Sequence, residues 1–269
     1  MRRGADLPNA LAASAGVAAR LRGRRPAVFL DYDGTLTPIV DRPEDAVISE
    51  NMRRTVADLA RRCSVCVVSG RDRPVVQELM GIHDLPVAGS HGFDIWSPGA
   101  GAIERREGAE QAGLLKEVTA RLERETATIE GALVEPKAAS VAVHYRLVAP
   151  SQQARIGEIV TRLLAEHPSE LKKTPGKMVY EVQPNIEWDK GRAVLYLLTA
   201  LNLDGPDVIP IYLGDDETDE HAFRALGERG LRILVSSPAD HTPAQGFTLA
   251  DYRLDTVEEV ERWLDQLAR

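Results

Sequence analysis

The sequence predicts an α/β fold: a mostly parallel sheet covered by helices on both faces, interrupted by a smaller α+β module. Three observations lead there. From Ala27 to Ser90, and again after Asp189, short apolar runs alternate with helical patterns. Between them, roughly Ala102 to Val182, the strands instead alternate polar and apolar residues, the mark of a sheet with one buried face. Finally, 43% of the 269 residues are hydrophobic, enough core for one large domain or two smaller ones.

The elements follow in order. Residues 1–25 read as a surface helix with a basic end, and Asp6 and Pro8 interrupt any signal-peptide core. The first strand is Ala27 to Leu30. A helix follows Ser49, with Met52, Val56 and Leu59 at helical spacing. The strand Val65 to Val68 comes next, then a helix from about Arg73 to Met80 closed by Gly81, then a short strand in "PVAGSHGF". In the insert, "SVAVHYR" places Ser140, Ala142, His144 and Arg146 on one face. In "KMVYEV", Lys177, Val179 and Glu181 oppose Met178, Tyr180 and Val182. Amphipathic helices near Leu114 to Leu122 and Ile156 to Leu164 accompany these strands. After Asp189 come the helix "KGRAVLYLLTAL", the strand "VIPIYLG", the helix "ETDEHAFRAL" and the strand "LRILVS". The last helix opens at Thr256 with Thr-x-x-Glu259, a capping box. The expected division is a core from 1–101 and 184–269, with the α+β module at 102–183.

A net charge of −8 argues against a nucleic-acid binder with a basic surface. No apolar run approaches a membrane span, so the expectation is a cytoplasmic protein with no membrane or nucleic-acid partner. Cys63 and Cys66 form a C-x-x-C, but no second pair or His cluster accompanies them, and Cys66 lies in an apolar strand.

Four polar stations sit at or near strand ends, where open α/β sheets bind ligands. Asp31 and Asp33 follow the first strand, Ser69-Gly70-Arg71 the second, Lys190 opens a helix, and "GDDETDE" follows Val208 to Leu213. Singly, each has an ordinary structural reading: a helix cap, a surface lysine, acids at a helix start. Together they bring carboxylates, a hydroxyl and an ammonium to one sheet edge. Converging carboxylates persist when a divalent cation binds or one stays protonated, and hard oxygen ligands favour Mg²⁺. A carboxylate can also attack phosphorus, forming an aspartyl-phosphate. One leading acid then attacks and the other handles the proton.

These residues resemble the haloacid-dehalogenase superfamily of phosphatases. "DYDGT" matches its first motif, Ser69 the second, Lys190 the third and "GDD" the fourth, with an insert at the usual cap position. More narrowly, "LDYDGTLTPIV", "VVSGR", "GSHGF", "EVQPNIEWDKG" and "YLGDDETDE" resemble the trehalose-6-phosphate phosphatase family, across about Val28 to Phe223. The resemblance implies a Rossmann-like core with an α+β cap. It implies Asp31 as nucleophile and Mg²⁺ ligand, and Asp33 as general acid then base, its carbonyl also meeting the metal. Thr35, Ser69, Gly70 and Lys190 would hold phosphoryl oxygens. Asp215 would complete the metal site, with Asp216 behind it or reaching it through a water. Arg146, Lys177 and Glu181, with His144 and Asn185, match the sugar-binding positions in the cap, which would close over trehalose 6-phosphate and exclude water.

Two other readings stand beside this one. A phosphatase of the same superfamily acting on sucrose 6-phosphate or a hexose phosphate would share every catalytic position. A receiver, a phosphate-accepting switch, also uses acids, a hydroxyl, a lysine and Mg²⁺, but it has no use for a second acid at Asp33 or an inserted module.

Overall fold

The computed structural model of the chain describes residues 2–98, 103–176, 178–236 and 246–269. The described residues fall into two units: Met1–Arg105 with Asp189–Arg269, and Arg106–Trp188.

In the first unit, β1 (Arg2–Arg3) and α1 (Ser14–Leu21) precede β2 (Arg25–Leu30), α2 (Glu50–Ala60), β3 (Ser64–Val68) and α3 (Arg73–Met80). Then come β4 (Val87–Gly89), β5 (Asp94–Ser97) and β6 (Ile103–Arg106). The second unit holds α4 (Ala112–Thr126), β7 (Leu133–Pro136), β8 (Val141–His144), α5 (Pro150–Glu166), β9 (Leu171–Gly176) and β10 (Val179–Pro184). The first unit resumes with α6 (Lys190–Ala200), β11 (Val208–Gly214), α7 (Asp219–Leu226) and β12 (Leu231–Val235). It ends with β13 (Phe247–Thr248), β14 (Tyr252–Leu254) and α8 (Val257–Ala268).

The main sheet runs β14-β12-β11-β2-β3-β4-β5-β6. From β14 to β4 all pairs are parallel, and β5 turns antiparallel to β4. The middle strands are apolar on both sides because helices cover both faces. Val28 and Leu30 of β2 pack with Met52 and Val56 of α2 and with Val260 and Leu264 of α8, while Ala27 and Phe29 are also fully buried. This is the α/β class the alternating texture predicts. The N-terminal segment is tied to this unit: β1 pairs with β13, Asn9 donates to Glu259, and Val17 of α1 is buried.

The second unit carries an antiparallel sheet, β7-β8-β10-β9. Val141, Val143 and Val182 pack against Leu115, Val118 and Leu122 of α4 and Ile156, Ile159 and Val160 of α5. These apolar residues alternate with the opposite face, as the two-residue period requires.

Local chemistry sets most ends. Ser49 caps α2 by accepting from Met52 N, and Gly81 closes α3 at φ 61°. Some boundaries differ from the expected ones. The strand in "PVAGSHGF" stops at Gly89, because Ser90–Gly92 turn in a 3₁₀ helix. β8 ends at His144, since Val148 N closes a turn onto Tyr145 O and takes Arg146 off the strand. The capping box forms only half: Thr256 accepts from Glu259 N, but the Glu259 carboxylate serves Asp255 N and Asn9.

Candidate active site

Parallel register brings the stations together. Leu213 of β11, Leu30 of β2 and Val67 of β3 lie in one row, so Asp31, Ser69 and Asp215 leave the same sheet edge. Asp31 N donates to Leu213 O at 2.9 Å, which extends the β2–β11 ladder to the acid itself. The chain then folds tightly, with Gly34 N donating to Thr37 O at 2.8 Å. Gly34 stands at φ +80°, and a Cβ there would lie 2.0 Å from Asp215 Oδ2. Glycine in "DYDGT" therefore serves both the backbone and the approach of the Asp215 carboxylate. The Thr35 hydroxyl is buried with no hydrogen-bond partner among the described residues. A buried orphan hydroxyl costs free energy unless something arrives to use it.

The lysine is aimed by the residues around it. Asp189 caps α6 by accepting from Arg192 N at 2.9 Å, which fixes Lys190 in the first turn. A Cβ on Gly191 would lie 2.4 Å from His221 O, so this glycine lets α6 close against α7. Lys190 Nζ then stands 3.0 Å from Asp31 Oδ1 and 2.8 Å from Asp219 Oδ1. Burial alone would lower the pKa of this ammonium, but Asp219 and Asp31 outweigh it and hold the value well above the usual lysine range.

Asp219 has no role in the sequence reading, yet it organises the loop after β11. Its carboxylate, wholly buried, also accepts from Tyr212 Oη at 2.7 Å, Asp215 N at 2.8 Å and Asp216 N at 3.1 Å. Gly214 makes room for it, since a Cβ there would meet Asp219 Cγ at 2.2 Å. Asp216 Oδ1 turns instead to Thr218, accepting from its N at 2.8 Å and its Oγ1 at 2.6 Å. Asp219 comes three positions after Asp216 at a helix start, and that spacing is the signal that could have singled Asp219 out.

Among the described residues, Asp31, Asp215 and Asp219 each place a carboxylate oxygen within 4.8 Å of the others, all buried. Burial pushes the Asp31 carboxyl well up; Lys190 opposes this, while Asp219, Asp215 and Asp216 push it further. The Asp219 carboxyl is raised for the same reason, burial first. Lys190 is the ammonium paired with both. An all-oxygen acid group with more negative than positive charge fits a hard metal cation.

Asp33 faces elsewhere. Both of its carboxylate oxygens accept from Arg71, Nε to Oδ2 and Nη2 to Oδ1, each at 2.7 Å. The same guanidinium lies 5.6 Å from the centroid of the Tyr32 ring. Ser69 is fully buried, its Oγ accepting from Arg71 N at 3.1 Å, which leaves its own proton free to donate. Cys63 and Cys66 are free thiols, pushed up by burial to about 11 and about 12.

In the second unit, one face of the sheet is polar, and its central acid is buried. Glu135, Ala142, Glu181 and Thr174 share a rung across four strands. Glu181 is only 4% exposed; it accepts from Ser140 Oγ and pairs with Lys137 Nζ at 3.2 Å. His144 Nε2 lies 2.7 Å from Glu135 Oε2, and this contact leads the causes that lower the Glu135 carboxyl. Glu135 and Lys137 are thus companions of Glu181 and His144 that the alternation did not single out. Arg146 sits in the turn after β8. Asn185 is exposed and donates to Pro168 O at 3.3 Å, which joins the turn before β9. Lys177 lies outside the described residues.

Known proteins share this pattern. A family profile described as Trehalose-phosphatase matches residues 29–257. A protein of Oryza sativa subsp. japonica, "Probable trehalose-phosphate phosphatase 4", is 40% identical over 266 residues, 97% of this chain and 70% of its own. The "Trehalose-phosphate phosphatase" of Mycobacterium bovis (strain BCG / Pasteur 1173P2) is 38% identical over 270 residues, 100% of this chain and 67% of its own. Among solved structures, the C-terminal domain of C. albicans trehalose-6-phosphate phosphatase superposes with a TM-score of 0.81 at 23% identity, covering 97% of this chain and 98% of that one. A haloacid dehalogenase-like hydrolase from Bacteroides thetaiotaomicron gives 0.63 at 16% identity, covering 91% and 100%, and these two speak for the fold.

Proposed function

The chain belongs to the trehalose-phosphatase family, and from that premise we propose that it hydrolyses trehalose 6-phosphate to trehalose and inorganic phosphate. It is a phosphoric monoester hydrolase with a haloacid-dehalogenase-like core. The observation that carries the reading is the buried meeting of Asp31, Asp215, Asp219 and Lys190 at the carboxyl end of the sheet.

The proposed roles are these. Asp31 attacks phosphorus and becomes the aspartyl-phosphate. Asp33 protonates the leaving sugar oxygen, then takes a proton from the water that hydrolyses the intermediate. Arg71 takes one lone pair on each Asp33 oxygen and orients the carboxylate, leaving a second lone pair on each for the proton. Lys190 and the hydroxyls of Thr35 and Ser69 receive phosphoryl oxygens, with Gly70 beside them. The orphan Thr35 hydroxyl supports this assignment. Asp31 and Asp215 would hold Mg²⁺, with the Asp33 carbonyl and Asp216 nearby, while Asp219, its oxygens taken by Lys190, Tyr212 and two backbone N–H groups, holds the lysine and the loop in place. The ion would supply charge stabilisation for the transferring phosphoryl group.

The Arg106–Trp188 unit is proposed as the cap that recognises the sugar, through Glu181 and His144 with their partners Lys137 and Glu135. Arg146, Lys177 and Asn185 are carried with them. The reading also makes this a cytoplasmic enzyme with a small-molecule substrate. Among the described residues, no helix is long and apolar enough to cross a membrane.

The test is a phosphate-release panel with Mg²⁺ or with EDTA. Trehalose 6-phosphate should be the preferred substrate over sucrose 6-phosphate and hexose phosphates, and EDTA should abolish release. Preference for another sugar phosphate would move the substrate assignment and leave the chemistry intact. One stoichiometric uptake of phosphate without turnover would favour a receiver.

A further inference from the structure

Ser90 and His91, in the turn after β4, stand in the left-handed region at φ 48° and 56°. Neither is glycine, which accepts that conformation at least cost. Strain of this kind persists when neighbours fix it, and it gathers at functional sites. Here the neighbour is the loop after β3. Ser69 N donates to Ala88 O at 2.9 Å, His91 N to Ser69 O at 2.8 Å and Ser90 N to Arg71 O at 2.7 Å. Ser90 Oγ adds a bond to Asp72 Oδ1. The turn is stitched to the same loop that carries Ser69 and Arg71.

The strained backbone fixes the position of one ring. A Cβ on Gly70 would stand 2.7 Å from His91 Cε1 and 2.9 Å from Nε2, so Gly70 clears the space the imidazole fills. The Ser90–Gly92 turn also packs against α6, the helix that opens at Lys190. Gly70 follows β3, the strand paired with β2, and β2 leads into Asp31.

We propose that His91 is a further substrate-binding residue of this site, its ring N–H donating to an oxygen of the bound phosphoryl group. The inference rests on reading the site as a phosphatase site but not on which sugar it takes. The competing role is filler over Gly70. Two variants separate them. His91→Gly removes the ring and relaxes the backbone, so its Tm should equal or exceed that of the wild type. His91→Phe keeps a ring over Gly70 and removes the donor.

Both variants should lose roughly ten- to a hundred-fold in kcat/KM, the size expected for a hydrogen bond to a charged group. The loss should be the same on trehalose 6-phosphate and on a small aryl phosphate, because both carry the phosphoryl group. Inorganic phosphate should inhibit both variants more weakly than it inhibits the wild type. Wild-type kcat/KM in either variant would overturn the inference. So would a loss confined to the sugar substrate, or a loss in His91→Gly matched by a fall in Tm. Failure of the phosphatase reading is a separate result, because the wild type itself would then release no phosphate.

Discussion

Asp219 shows what a single buried residue does here. It gathers Lys190, Tyr212 and two backbone N–H groups of the Asp215 loop onto one carboxylate. Asp219→Ala takes this buried acceptor from Tyr212 Oη and two backbone N–H groups and leaves Lys190 with Asp31. Breaking a buried charged network in this way costs about 3–5 kcal/mol, which urea unfolding of the metal-free protein would measure. A loss under about 1 kcal/mol would mean that the loop repacks without it. Asp33 calls for a different experiment, since its work is proton transfer. Asp33→Asn should cripple turnover of trehalose 6-phosphate, whose sugar oxygen needs a proton to leave. It should retain much more activity on an aryl phosphate with a good leaving group. Equal losses on the two substrates would take the proton-donor role from Asp33.

At the scale of elements, the strand ends were the legible part. Asp31, Asp33, Ser69 and Asp215 stand out in the sequence because an apolar run stops abruptly on a polar group, and parallel strands carry such ends to one edge. Asp189-Lys190-Gly191 was legible as a helix start. Arg71 stood in the second station without a role and Lys137 was not singled out, because their roles come from partners far along the chain: Asp33 is 38 residues from Arg71, and Glu181 is 44 from Lys137. No periodicity reports such a meeting. The two-residue alternation gave the faces of the β8–β10 pair correctly, but it could not say that Glu181 is buried and paired. That burial changes the choice of variant. Glu181→Ala would strand Lys137, whereas Glu181→Gln keeps the shape and removes the charge. If this rung reads the sugar, Glu181→Gln should lower kcat/KM for trehalose 6-phosphate roughly ten- to a hundred-fold, about 1.5–3 kcal/mol. An aryl phosphate should be hydrolysed nearly as before. A matching loss on both substrates would give Glu181 a folding role instead.

For the whole molecule, the sheet holds like charges together that would not choose one another's company in water. Burial raises the Asp31 and Asp219 carboxyls, and Lys190 offsets only part of that cost. A divalent cation binding this group should therefore stabilise the folded chain by mass action, by about 2.7 kcal/mol at a hundred times its dissociation constant. Adding Mg²⁺ to metal-free protein should raise Tm and restore activity lost in EDTA. Full activity in a verified metal-free preparation would remove the metal from the account. The central claim is that the β2 strand ends on Asp31 because that carboxylate takes the phosphoryl group. The most direct measurement is rapid acid quench during turnover of trehalose 6-phosphate, followed by peptide mass spectrometry. The wild type should carry a phosphoryl group on Asp31, and Asp31→Asn should carry none. Phosphate carried on Asp33 or any other residue, or turnover that persists in Asp31→Asn, would contradict that claim.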